Sequence, residues 1–209
     1  MKRIATALTL LVLVAGCSMI DGRARAMRSL RGVALSPAQP KPAFTLTDTR
    51  GAPYEFSKET SGRVALLYFG YTNCPDVCPA QLSRIAAALK GMSAADRERV
   101  RVVFVTTDPA RDSVARLRGW LDGFDRSFIG LRGDMAEVNR VQASLGLPPS
   151  VVEAMPASGA PHVMTYGVGH AAQVLAFTPD DSLRVEYPDG FQVADWVNDL
   201  PRLLAITKR

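Results

Sequence analysis

Two cysteines, Cys74 and Cys78, stand four residues apart in the stretch YFGYTNCPDVCPAQL. On one turn of helix their Cα atoms would lie about 6 Å apart along the axis. That separation suits a disulfide, and it equally lets two thiolates converge on one metal ion. A helix N-terminus favours thiolate over thiol through its partial positive charge and unpaired N–H groups. Thiolate is the form that attacks disulfides and the form that binds soft metals. Two small core residues, or a structural disulfide, would fit the bare pattern too. A Pro-flanked loop directly after a core strand is an unusual place for either.

A metal centre built on two thiolates needs a further donor. The sequence holds two histidines, His162 and His170, with Met155 and Met164 as weaker candidates. Two thiolates and one imidazole make a soft, three-donor set that suits Cu(I). Structural zinc wants four donors. Cys74, Cys78, His162 and His170 could supply them, but the seven residues between the histidines exceed the usual zinc spacing.

The elements around these residues read as α/β. Residues 64–69 form a short, continuous apolar run typical of a buried strand, ended by Gly70 and the Asn73, Pro75, Asp76 cluster. From Pro79 the period becomes helical, with Leu82, Ile85, Ala86 and Leu89 on one face. Residues 101–107 make a second buried strand, so a β-α-β unit with parallel pairing is expected. Strand ends sharing one edge of such a sheet are where ligands collect. This places Asp108 either near the cysteine loop or in a plain turn. Asp112 reads as the N-cap of a helix carrying Val114, Leu117 and Leu121. A short strand is expected at residues 128–131. Asp134 and Glu137 suggest a capping box for a helix with Val138, Val141 and Leu145. Residues 147–161 read as a loop beside the site, residues 162–168 as weak alternation, and residues 170–178 as a strand opened by His170. A turn at Pro179-Asp180-Asp181, a strand at 183–187 and an amphipathic helix at 193–206, with Pro201 inside it, complete the chain.

The N-terminus reads as a targeting signal. Lys2 and Arg3 precede a 13-residue run of apolar and small residues at 4–16. A spanning helix needs about 20, so an export signal is expected. It ends in Leu13-Val14-Ala15-Gly16-Cys17, which looks like a bacterial lipobox cleaved before Cys17, with Cys17 then lipidated. Of three cysteines, only Cys74 and Cys78 then remain, in an oxidising compartment outside the cytoplasm. Residues 17–41 read as a lipidated cysteine and flexible tether, and residues 42–209 as one domain, opened by a hairpin at 42–51. The net charge of +5 falls to +3 without Lys2 and Arg3, too little and too evenly spread to argue for nucleic acid.

The stretch YFGYTNCPDVCPAQL resembles the SCO/SenC family of copper-binding, thioredoxin-fold proteins that assist assembly of the copper centre of cytochrome c oxidase. Asp108-Pro109-Ala110-Arg111-Asp112 resembles the family's D-P-x-R-D segment. The family's ligand histidine opens a strand, with a Pro-Asp/Glu turn nine residues later. His170 matches, since Pro179-Asp180 follows at that distance; His162 does not. The neighbours of His170 are Gly169 and Ala171, where the family pattern has Asp and Ser/Thr.

The resemblance implies a thioredoxin-like α/β fold over residues 42–209, with a central, mostly parallel sheet flanked by helices and an N-terminal hairpin. It implies one copper ion, Cu(I) or Cu(II), held by Cys74, Cys78 and His170. The copper would be delivered to a respiratory oxidase subunit or another copper carrier, from a lipid anchor on the periplasmic face of a bacterial envelope. Two other readings use the same residues. A thiol–disulfide oxidoreductase would employ Cys74 and Cys78 alone, although its spacing is not the two-residue spacing of common dithiol enzymes. A copper-sensing or buffering module would need no acceptor.

Overall fold

The computed structural model describes residues 24–157 and 160–207. Its frame is an eight-stranded mixed sheet, and the three strands that read most clearly from sequence form its middle. Strand β4 (Val64–Gly70) is buried at every residue. It pairs in parallel with β5 (Val100–Thr106), which pairs in parallel with β6 (Ile129–Arg132). Helix α2 (Val77–Lys90) links β4 to β5, with a short helix α3 (Ala94–Arg97) before β5, and α4 (Val114–Asp122) links β5 to β6.

The remaining pairings are antiparallel. The opening hairpin is β2 (Thr45–Asp48) and β3 (Pro53–Glu55), joined to the sheet through β6 and followed by the one-turn helix α1 (Phe56–Glu59). On the other side, β9 (Val174–Thr178) pairs with β4, β10 (Ser182–Tyr187) with β9, and β1 (Val33–Pro40) with β10. The strand order is β1-β10-β9-β4-β5-β6-β2-β3. Parallel pairing is thus confined to the three middle strands.

Both faces of the middle strands are covered, which explains runs without polar alternation. Leu66, Tyr68, Val102 and Phe104 face a core shared with α2, α4 and the C-terminal helix α6 (Val193–Leu204). Leu67, Phe69, Val103 and Val105 face a second core with α1, α5 (Met135–Ser144) and the opening hairpin. Asp134 and Glu137 form the expected capping box at the start of α5.

Four expectations need correction. The stretch read as a tether is structured well before residue 42. Residues 24–28 are helical, the backbone N–H groups of Arg31 and Gly32 donate to the carboxylate of Asp199, and β1 covers the edge of β10. Pro37 and Pro40 disguise this strand; an edge strand tolerates proline because one side of its ladder is unpaired. Residues 147–161 are not one loop. They contribute β7 (Val151–Ala157), which pairs antiparallel with β8 (Ala160–Gly169) in a separate two-stranded sheet. His170 opens no strand; it lies in the link between β8 and β9. Asp112 is not the cap of α4, since the Ser113 side chain accepts the backbone N–H of Arg116. Cys17 lies outside the described residues.

Candidate metal centre

The parallel register aligns Gly70 with Thr106, so β4 and β5 end at the same edge of the sheet. The loops after both strands therefore meet there, as open α/β sheets bring ligand-binding loops together. The cysteine loop leaves β4 at Gly70, and a turn closed by the Cys74 N–H donating to the Tyr71 carbonyl (3.1 Å) delivers the first cysteine. Helix α2 starts at Val77, so Cys78 lies in its first turn while Cys74 precedes the helix. The Cys78 backbone N–H points back at the Cys74 sulfur, 3.4 Å away. This is the anion-seeking end of a helix applied to a thiolate.

Cys78 is fully buried and Cys74 half-buried. The Tyr68 hydroxyl donates to the Cys78 sulfur at 3.5 Å. Gly70 makes room for that sulfur: a Cβ at residue 70 would lie 2.6 Å from it. The role of Gly70 is therefore close approach as well as ending a strand.

The β7–β8 hairpin and the link after it bring in the third group. His170 Nε2 lies 3.5 Å from the Cys78 sulfur. Its Nδ1 lies 3.1 Å from the Ala171 carbonyl. A carbonyl can only accept, so Nδ1 donates there, and Nε2 is the ring atom that faces the sulfurs. Donor atoms of Cys74, Cys78 and His170 all lie within 4.8 Å of one another. Among the described residues, this is the cluster of metal-binding side chain types that closes to such distances. His162, Met155 and Met164 belong to a part of the hairpin whose side chains are not described.

The two thiols are electrostatically unequal. A hydrogen bond from the Cys78 thiol holds Cys74 far below the usual thiol range, helped by His170 and by the backbone N–H of Cys78 and opposed by burial. Cys78 is pushed up, first by that same hydrogen bond to Cys74 and then by burial. Without a metal, the pair thus favours one thiolate, on Cys74, and one retained proton, on Cys78. Burial and the adjacent Cys78 also raise Tyr68, which stays a neutral donor.

Side chains that the spacing of cysteines and histidines does not reveal hold the histidine in place. Arg111 lies 3.6 Å above the Tyr166 ring, donates from Nη1 to the Tyr166 carbonyl (2.9 Å), and is ion-paired with Asp108. The Tyr166 hydroxyl also donates to Asp108 (3.1 Å). Tyr166 sits on β8, four residues before His170. Tyr71 stacks edge-on to the imidazole at 5.8 Å, with the Arg111 guanidinium 5.7 Å from its own ring. Asp108 is thus near the site as one of the two sequence readings had it, acting through Arg111 and Tyr166 and not as a donor in the cluster.

Comparison with known proteins agrees with this architecture. The chain is 38% identical over 144 residues to a protein of Stutzerimonas stutzeri described as copper-binding, covering 68% of this chain and 66% of that one. It spans from 32% to 66% of the length of the first curated relatives it matches. Among solved structures, it resembles copper-bound ScoI of Bradyrhizobium japonicum, with a TM-score of 0.65 and 30% identity over 79% of this chain and 99% of that one. It also resembles apo Sco1 of Thermus thermophilus, with a TM-score of 0.69 and 29% identity over 84% of this chain and 97% of the other. The shared fold is thioredoxin-like. The family model for SCO1/SenC matches residues 34–205, from within β1 to just past α6, and takes in both cysteines and the histidine. The chain belongs to the SCO1/SenC family.

Proposed function

We propose that this protein binds one copper ion through Cys74, Cys78 and His170 and hands it to an acceptor during assembly of a respiratory oxidase copper centre. The observation that carries this reading is the convergence of two sulfurs and one imidazole nitrogen within 4.8 Å. That donor set suits Cu(I), since soft thiolates favour the reduced ion. The proton on Cys78 is the one that metal binding must displace. A three-donor site leaves room for an acceptor thiolate to enter, so ligand exchange can proceed without first releasing the metal. The copper-bound relative supports the metal. The lipobox-like run ending at Cys17 supports a lipid anchor at the periplasmic face of a bacterial envelope. No helix among the described residues is long and apolar enough to cross a membrane.

Copper stoichiometry tests this reading. The protein is reduced, loaded with Cu(I), desalted and assayed. One copper per chain is expected, with loss of retained copper in His170→Ala. Retention by that variant would move the third ligand elsewhere. A second reading, a thiol–disulfide oxidoreductase acting on partner cysteines, is favoured by the low-lying Cys74 thiolate. A wild type that retains no copper but cycles a Cys74–Cys78 disulfide would select it.

A further inference from the structure

Asp112 is fully buried, lies outside the candidate ligand set, and is not the cap of α4. Its carboxylate is spent on one loop. Oδ2 accepts the backbone N–H of Thr72 (3.0 Å) and the Thr106 hydroxyl (2.6 Å), while Oδ1 accepts the Thr72 hydroxyl (2.5 Å). Thr72 is the second residue of the turn that Cys74 closes. From α4, Arg116 reaches the same turn. Its Nε donates to the Thr72 hydroxyl (2.8 Å), its Nη2 donates to the Asn73 side chain, and its Nε lies 3.9 Å from Asp112. Both residues between Tyr71 and Cys74 are therefore tied down.

Thr106 anchors the other end of this arrangement to the sheet. It is the last residue of β5, and the next N–H, of Thr107, donates to the Gly70 carbonyl at 2.7 Å. A buried carboxylate is costly unless its oxygens are satisfied, and here every partner lies on the cysteine turn, the end of β5 or Arg116. The cysteine turn is thereby fixed to the end of β5, beside the end of β4 from which the turn leads into α2 and Cys78.

We propose that Asp112 is a positioning residue: by pinning Thr72 to the end of β5, it holds the Cys74 sulfur opposite Cys78 and sets the effective concentration of the two thiols toward each other. Proximity fixed in this way makes an internal bond more favourable than its intermolecular counterpart. This deepens the reading of the same two thiols but requires no metal, so its test stands or falls apart from copper.

The measurement is the equilibrium of the full-length reduced protein with glutathione. The two thiols give up two electrons and two protons to one oxidised glutathione, yielding the Cys74–Cys78 disulfide and two reduced glutathiones. Asp112→Ala is expected to lower that equilibrium constant by about tenfold or more, as a loss of effective molarity. Asp112→Asn keeps one acceptor oxygen and should fall between it and wild type. Asp48→Ala is the control. Asp48 is also buried and also braces a turn, through the N–H groups of Arg50 (2.8 Å) and Ala52 (3.0 Å), but on the opening hairpin. It should lower Tm and leave the thiol equilibrium unchanged. An Asp112→Ala protein that loses Tm while its thiol equilibrium stays within about twofold of wild type would assign Asp112 a purely structural role and overturn the proposal. Should Asp112→Ala not fold, Thr72→Val, which removes one of the three links, decides the matter: a lowered constant supports the proposal and an unchanged one overturns it.

Discussion

The two halves of the candidate metal centre are built on different principles. The thiol half hangs from β4 and β5, which are paired in parallel along seven residues and enclosed on both faces. The histidine half rides on the β7–β8 hairpin, a two-stranded sheet whose strands pair only with each other. A lone hairpin is marginally stable, and this one is joined to the domain through the clasp of Arg111, Asp108 and Tyr166. Val151 and Val152 on β7 remain exposed. One half is fixed by the sheet and the other by a few side chains, so the imidazole is the donor whose position the protein can most easily lose or adjust.

The largest effect should follow from damage to the sheet that carries the thiols. Phe69→Ala, near the end of β4 with its side chain fully buried, should cost about 3–5 kcal/mol, read as a lowered denaturation midpoint. Next in size is the clasp. Arg111→Met removes the ion pair and the hydrogen bond to Tyr166 while keeping some bulk. It should weaken copper retention by about 10–100-fold, the range for residues that orient ligands, yet leave the thiol–disulfide equilibrium within about twofold. A copper-free check is available, because the chain has two histidines and the His170 imidazole protons can be assigned by NMR against a His162 variant. They should shift in Arg111→Met. Equal losses in both halves would break the comparison.

The asymmetry within the thiol half gives the third effect. Because Cys74 is held well below the usual thiol range, its thiolate persists as pH falls. Alkylation of Cys74 in the reduced, metal-free protein should stay nearly constant from pH 8 to pH 6, whereas an ordinary thiol with a pKa near 8.5 slows about tenfold per unit. A proportional slowing would show that the Cys78 hydrogen bond does not control the pair. The smallest effect is expected on the hairpin itself. Val152→Ala, at an exposed position, should change global stability by no more than about 0.5 kcal/mol.

The same division governs what the sequence disclosed. The buried strands β4 and β5, helix α2 and the α5 capping box were legible because their signals are local: apolar runs, a 3.6-residue period, and paired polar caps. The cysteines announced themselves by spacing, and His170 through its resemblance to a family pattern. The hairpin was legible only in part: residues 162–168, within β8, alternate weakly, whereas residues 147–161 contain four prolines and read as a loop. Strand β1 was hidden for a related reason, as an edge strand bearing prolines. Asp112 was misread because an aspartate one residue before Ser113 looks like a cap. Only the spatial approach of Thr72 and Thr106 reveals its other use. Arg111 stood in the D-P-x-R-D segment, but nothing in its neighbours along the chain points to a tyrosine 55 residues later.

The unequal enclosure of the two cysteines gives the site a front and a back. Cys78 is sealed behind Tyr68, Gly70 and helix α2, while Cys74 stands partly open. A visiting disulfide therefore meets Cys74 first: the Cys74 thiolate attacks one of its sulfurs and expels the other as thiolate, and the mixed disulfide should form there, to be resolved by Cys78. Cys78→Ser should accumulate such a trapped partner, and Cys74→Ser should not. The direction of traffic is set by which sulfur the fold conceals.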